Sequence, residues 1–360
     1  MESHPHLLAD ISSHGYGHVS QTSAVINELV SLVPGLRVTV RSTAPHDFLK
    51  SRLQCEFQHI PLAFDFGMKM ASAVDVLIAE SADAYREFHA DWQHKVEREA
   101  QAMRRLKPDL LLANVPYLSL AAARSAGVRA AGMCCLNWAD IYSYYCVEDA
   151  ASRTIHGQMV ESYRSAECFI KVQPAMEMPN LGATFSINPI ARIGQAQRAF
   201  VASACSVREG EKLVMVAMGG MEFRLPVQNW PSLPGVRWIV PDAWKIRRDD
   251  TTAFESLHLP FVDVLASCDA VISKPGYGTF TEAACNGVPL LYVTRRDWPE
   301  EPYLLQWLKQ NVACLQVDRQ ALEEGELDSV LRQLWALPQL ARPHAAGAVE
   351  AAKFLRDHYL

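Results

Sequence analysis

Glycine is scarce in this chain, with 18 among 360 residues, below the roughly 7 % of average usage. A large surplus of basic charge is also missing. The net charge is −6 and the isoelectric point is near 6.1. A nucleic-acid binder needs a concentrated basic surface for phosphate contacts, so that class is excluded. No run of 18 apolar residues occurs, so nothing is expected to span a membrane, while peripheral membrane contact stays open. The start, Met1-Glu2-Ser3-His4, lacks the basic and apolar segments of a signal peptide. The nine cysteines show no CxxC or zinc-type spacing. They read as buried reduced thiols of a cytoplasmic protein.

What is present is a globular composition. Hydrophobic residues make up 49 % and charged residues 21 %, which suits a packed core and excludes general disorder. The length points to two domains. Short β-like runs alternate with helical patterns. In the first half the runs are Leu7–Ser12, Leu36–Arg41, Leu110–Ala113, Val128–Leu136 and Cys168–Val172. Helical patterns run over Val19–Leu32, through much of Ser72–Leu106, and over Ala121–Ala126 and Ala150–Ala166. Prolines 174, 179 and 189 then mark a linker ending near Arg192. The rhythm restarts with strands at Lys212–Met218, Val236–Val240, Ala270–Ser273 and Pro289–Thr294. Helices are expected at Phe261–Ala266, Phe280–Asn286, Pro302–Gln310, Leu327–Ala336 and Ala345–Tyr359. This is the pattern of two α/β domains with parallel sheets.

Six of the few glycines fall in three short motifs. The first is Ser12-Ser13-His14-Gly15-Tyr16-Gly17-His18, between a strand and a helix. Glycine there permits a sharp turn and close approach to a ligand, and the helix start suits negative charge. That position should lower the pKa of His18 and keep it neutral, as a general base must be. Loop and cap roles for His14 and His18 fit equally well. A metal pair at this spacing lacks a third ligand. The motif is not GxGxxG, so a dinucleotide fingerprint is absent.

The second motif, Met218-Gly219-Gly220, follows a strand and allows close approach of a phosphate or sugar, or is a plain tight turn. The third is Ser273-Lys274-Pro275-Gly276-Tyr277-Gly278-Thr279, leading into Glu282. Its backbone N–H groups, the Thr279 hydroxyl and the Lys274 charge suit a pyrophosphate, and Glu282 suits ribose hydroxyls or the helix dipole. It is not a Walker loop. Arg295-Arg296-Asp297-Trp298-Pro299-Glu300-Glu301 follows the next strand. Its acidic groups suit sugar hydroxyls or a solvated loop. Asp140 follows the strand Val128–Leu136, and Asn114 ends Leu110–Ala113.

Together these motifs resemble those of GT-B glycosyltransferases. Gly17-His18, Gly276-Tyr277-Gly278-Thr279 with Glu282, and Glu300-Glu301 look like the enzymes that use UDP-sugars, including the one that adds N-acetylglucosamine in peptidoglycan synthesis. A closer likeness is to the glycosyltransferase-like N-terminal half of plant arabinokinases and their bacterial relatives. It rests on Ser13–His18, Pro45-His46-Asp47-Phe48-Leu49, Asn137-Trp138-Ala139-Asp140, Lys274–Thr279, and Arg295-Arg296-Asp297 with Glu300-Glu301-Pro302. It runs from about Ile11 to Leu308. The glycine/serine-rich kinase loop of the arabinokinase second half is missing, so sugar-kinase activity is not implied. The acidic pair is Glu-Glu where Asp-Gln is usual. Asn114 stands near where many members carry the carboxylate that assists the histidine.

The resemblance implies a GT-B fold, two Rossmann-like α/β domains facing each other across a cleft. Residues 1–192 would form the acceptor-side domain, with a C-terminal helix at 343–360 packing back on it. Residues 193–342 would bind the nucleotide-sugar. The implied reaction moves a sugar from a UDP-linked donor to an acceptor hydroxyl, without metal or cofactor, and no D-x-D motif occurs. His18 would be the base and Asp140 its orienting carboxylate. Gly17, Gly219, Gly220, Lys274, Gly276, Tyr277, Gly278, Thr279, Glu282, Asp297, Glu300 and Glu301 would bind the donor. Loops at Phe64–Ala84 and Asn137–Tyr145 would face the acceptor. Two alternatives share this reading: a nucleotide-sugar-binding or regulatory protein without turnover, and a UDP-sugar epimerase.

Overall fold

The computed structural model describes residues 4–71, 75–219, 224–295 and 297–360. The chain divides into two compact units. One holds residues up to Ala71, Asp75–Ile190 and Ala346–Leu360, and the other holds Ala191–Ala345.

The first unit is built on seven parallel strands: β1 (His6–Ile11), β2 (Arg37–Arg41), β3 (Gln58–Ile60), β4 (Leu110–Asn114), β5 (Arg129–Cys134), β6 (Cys168–Val172) and β7 (Thr184–Ile187). Their order across the sheet is β3-β2-β1-β4-β5-β6-β7. Between them run α1 (Gly17–Leu32), α2 (His46–Arg52), α3 (Ile78–His89), α4 (Trp92–Leu106), α5 (Tyr117–Ala126), α6 (Trp138–Cys146) and α7 (Ala150–Arg164). Leu7, Leu8, Leu110, Leu111 and Leu112 are fully buried. Strands covered on both faces need this unbroken apolar character, which is why β1 and β4 stand out in the sequence.

The second unit carries α8 (Arg198–Ala204), β8 (Lys212–Val216), β9 (Val236–Val240), β10 (Thr251–Ala253), α9 (Phe261–Ala266) and β11 (Ala270–Ser273). It continues with α10 (Tyr277–Asn286), β12 (Leu290–Tyr292), α11 (Glu301–Asn311), β13 (Cys314–Gln316), α12 (Arg319–Glu324) and α13 (Asp328–Ala336). Its parallel sheet has the order β10-β9-β8-β11-β12-β13. Val214, Val216, Trp238, Ile272, Leu291 and Leu331 belong to one buried cluster. The last helix, α14 (Gly347–Tyr359), returns to the first unit and packs on α1. There Phe354 stacks on Phe185 at 4.4 Å between ring centroids, and Glu350 accepts hydrogen bonds from Asn188.

Part of the segment read as a linker is ordered strand. β7 pairs in parallel with β6, Ile170 opposite Phe185. All nine cysteines are free thiols. Among the described residues, no helix is long and apolar enough to cross a membrane.

In both sheets the order in which the chain adds strands reverses at one place, between β1 and β4 in the first unit and between β8 and β11 in the second. At such a reversal the connecting helices leave toward opposite faces. The carboxyl ends of the two central strands then open a crevice where ligands bind in this class of sheet.

Candidate active site

At the reversal of the first sheet, Ile11 lies opposite Asn114, and the Ser12 N–H donates to the Asn114 carbonyl at 2.7 Å. The chain then turns through Ser13–Tyr16, with Gly15 at φ 83°, and enters α1 at Gly17. Among the described residues, no side chain caps this helix, so its first N–H groups have no capping side chain.

The turn is held from below by Asp65. Its carboxylate accepts from the Ser12 hydroxyl at 2.9 Å, the Ser13 N–H at 3.3 Å and the Trp138 indole N–H at 2.8 Å. The His14 ring meets the edge of Trp138 at 5.0 Å. Gly67 closes the packing at φ 66°, where a Cβ would come within 2.6 Å of His14 Nδ1. Burial pushes the Asp65 carboxyl up, opposed by the His18 charge and by its donors.

His18 is 8 % exposed. Its Nδ1 lies 2.9 Å from Asn114 Oδ1 and 3.6 Å from Cys134 Sγ. The amide nitrogen of Asn114 faces two acceptors, Gln21 Oε1 at 3.2 Å and the His18 carbonyl at 3.4 Å. Only one amide orientation satisfies both, and it turns Oδ1 to the histidine. Nδ1 therefore carries hydrogen and donates, and the neutral ring keeps its lone pair on Nε2.

The expected lowering of the His18 pKa does not occur. Burial disfavours the charged ring, but the Cys134 sulfur, Asn114 and Asp65 outweigh it and raise the group to about 9. The partner is also not Asp140. That carboxylate accepts from Asn137 Nδ2 at 2.9 Å, and its backbone N–H donates to Asn137 Oδ1 at 2.8 Å. Asp140 thus serves the first turn of α6, whose N-cap is Asn137.

At the reversal of the second sheet, Val216 lies opposite Ile272. The Ser273 hydroxyl donates to the Ala217 carbonyl at 2.7 Å and ties the two strand ends together. Gly219 follows at φ 83°, a conformation that favours glycine. A Cβ there would lie 3.5 Å from Lys274 Nζ. Gly220 lies outside the described residues. Lys274 is 7 % exposed. Burial, with the neighbouring Arg295 charge, lowers its pKa to about 7 against the pull of Glu300. Gly276 is the N-cap of α10 and supplies no side-chain cap. Tyr277, Gly278 and Thr279 form the first turn, with Tyr277 buried and Gly278 exposed. A lysine charge and the positive end of a helix both favour an anion.

No family model matches the chain. The L-arabinokinase of Arabidopsis thaliana is 25 % identical over 361 residues, covering 96 % of this chain and 34 % of that protein. The chain therefore spans about a third of the length of this curated relative. Solved structures match far more completely. CalG4, the calicheamicin glycosyltransferase, gives a TM-score of 0.62 at 17 % identity, covering 99 % of this chain and 94 % of that one. The kitacinnamycin glycotransferase gives 0.62 at 15 %, covering 99 % and 100 %. Medicago truncatula UGT71G1, solved with UDP-glucose, gives 0.58 at 12 %, covering 99 % and 95 %.

The fold is GT-B. Within the GT-B second unit, the acidic residues expected at the sugar already have protein partners. Glu300 accepts from the Trp298 indole N–H at 3.1 Å, and Glu301 accepts from the Arg295 N–H at 2.8 Å. Asp297 is exposed and lies in the left-handed region at φ 55°. Glu282 pairs with Arg192 at 2.9 Å and helps fasten 192–194 to α10, where Asn286 bonds the Arg192 carbonyl and the Gly194 N–H. Among the described residues, no three His, Cys, Asp or Glu side chains gather as metal ligands, His14 and His18 included.

The residues that sequence reasoning missed are Asp65, Cys134 and Gln21. Asp65 lies in a loop read only as acceptor-facing. Cys134 and Gln21 lie in a strand and a helix where both look like ordinary core residues.

Proposed function

We propose that this protein transfers a glycosyl group from a nucleoside-diphosphate sugar, with UDP as the nucleotide, to an acceptor hydroxyl. One observation carries the reading. At the reversal of each parallel sheet, a central strand leads through a glycine-rich turn into a helix. One of these turns bears a histidine with a fixed ring orientation, and the other bears a buried lysine beside an open helix start. The fold it shares with UGT71G1 in complex with UDP-glucose supports the choice of donor.

In this mechanism the second unit holds the diphosphate. The first N–H groups of α10 and the Lys274 ammonium neutralise the charge that grows on the leaving group. Gly219 leaves room for that group beside Lys274. In the first unit His18, in its neutral form, which predominates only above about pH 9, takes the proton of the acceptor hydroxyl on Nε2, while Nδ1–H stays bound to Asn114. Such a base contributes about 10²–10⁴-fold.

The test is to incubate the protein with UDP-sugars and a mixture of hydroxyl acceptors and to follow UDP release. Turnover that falls by about 10²-fold or more in His18→Ala supports the reading. Unchanged turnover removes His18 as the base. A second reading rests on Asn114, a neutral amide in the place of a charged orienting group. The protein would then bind nucleotide-sugar without turning it over. Binding of UDP-sugar with neither transfer nor hydrolysis favours that reading.

A further inference from the structure

We infer that Cys134 governs the protonation of His18, whose ring Asn114 orients. Its sulfur supplies, on the Nδ1 side of the ring, the negative charge that the neutral Asn114 cannot.

The geometry narrows the choice. α1 contributes Gln21 and β4 contributes Asn114, both neutral and both bonded to each other. The start of α6 contributes Trp138, at 6.1 Å between ring centroids. His14, in the turn, meets Trp138. The loop after β3 contributes Asp65, whose oxygens are taken by Ser12, Ser13 and Trp138. β5 contributes Cys134 at its end and Cys135 just beyond, with their sulfurs 3.9 Å apart. Of these groups, only Cys134 is both ionisable and within reach of Nδ1, at 3.6 Å. Both residues are buried. A buried thiolate next to a buried imidazolium is tolerated because each charge compensates the other. The Cys134 thiol is drawn well below its ordinary value, its burial being outweighed by Cys135 and His18.

Cys134 gives up its S–H proton, and Nε2 of the ring takes one up. The thiolate then shares the Nδ1–H with Asn114 Oδ1, and the ring carries hydrogen on both nitrogens. In that state Nε2 is a donor. It becomes a base only after losing its proton, which the thiolate delays to higher pH. Cys134 therefore sets the pH at which His18 can act. The effect on rate rests on the proposed role of His18 as base, whereas the pairing itself does not.

The experiment uses the full chain with ¹⁵N-labelled histidine. Ring titrations are read by long-range ¹H–¹⁵N NMR in wild type, Cys134→Ser, Cys134→Ala and Asp65→Asn. The His18 midpoint should fall by about one pH unit or more in both Cys134 variants, a tenfold loss of proton affinity, and by less in Asp65→Asn. Wild type should also show a thiolate ultraviolet band at neutral pH. Equal midpoints in wild type and the Cys134 variants overturn the inference, as does absence of that band. If neither variant folds, the wild-type band and midpoint decide alone. In the transfer assay, Cys134→Ser should be faster than wild type near neutral pH and equal to it at high pH, which a merely structural defect would not produce. A midpoint shift without that rate gain counts against His18 as base and leaves the Cys134 pairing standing.

Discussion

The Trp138 indole donates to Asp65 Oδ2 at 2.8 Å, joining the start of α6 to the loop after β3 beneath the Ser12–Gly17 turn. The same carboxylate receives Ser12 and Ser13. Removing it strands three donors, two of them in buried residues. Each orphaned donor costs about 1–3 kcal/mol. Asp65→Ala should therefore lower unfolding free energy by about 3 kcal/mol or more in urea titration. Asp65→Asn keeps one acceptor oxygen and should lose less. Equal losses would mean that the carboxylate is not what ties the turn down.

Lys274 should make nucleotide binding weaken as pH rises. Its pKa in the free protein lies at about 7, first through burial and then through Arg295. A bound diphosphate favours the ammonium and raises that value. Binding above about pH 7 must then take up a proton, and affinity must fall as pH rises, by at most about tenfold per unit. Titration calorimetry of UDP in buffers of different ionisation enthalpy checks the proton uptake. Lys274→Met should bind UDP more weakly and lose the uptake. Uptake that persists in Lys274→Met assigns it to another group.

Arg41 anchors a charged cluster inside the first unit. It donates through Nε and an Nη to both oxygens of Asp10, at 2.6 and 2.5 Å, and through its other Nη to Glu99. Its guanidinium also lies 4.1 Å over the Phe64 ring, next to Asp65 in the chain. Arg41→Met leaves two carboxylates buried without a cation. Breaking a buried pair in this way costs about 3–5 kcal/mol. Denaturant unfolding should show that loss. The triple change Arg41→Met, Asp10→Asn, Glu99→Gln should recover part of it, because the uncompensated charge is gone.

The parallel-sheet fold was legible because its central strands are apolar throughout, as in Leu7-Leu8-Ala9 and Leu110-Leu111-Leu112, all buried. The edges were not. β3 and β10 have three residues each, and β7 has four, of which only Ile187 is buried. Such strands carry too few apolar residues to show a period, and the prolines around β7 look like a linker. Gly15 and Gly219 were legible for a related reason, since both sit at φ 83°, where the backbone restricts residue type. The surroundings of His18 were not legible. Asn114 and Cys134 are 96 and 116 residues away from it in sequence, and only the strand order β1-β4-β5 brings them together. A lone cysteine in an apolar run carries no sign of such a neighbour. Asp140 looked suitable because it follows the right strand, but its Asn137 N-cap occupies it.

Glu282 is the last point at which binding and structure can be separated. The sequence places it for ribose hydroxyls, and the structure pairs it with Arg192. The Arg192 side chain is 43 % exposed, and an ion pair open to water is worth about 0–1 kcal/mol. Arg192→Ala should therefore change stability by no more than about 1 kcal/mol and leave Glu282 free to bind. If Glu282 holds the ribose, Glu282→Ala should weaken UDP by roughly tenfold, the value of one charged hydrogen bond, while pyrophosphate, which has no ribose, binds as before. Arg192→Ala should bind UDP at least as well as wild type. A loss in Arg192→Ala equal to that in Glu282→Ala, for UDP and pyrophosphate alike, would show instead that the pair only fastens residues 192–194 to α10.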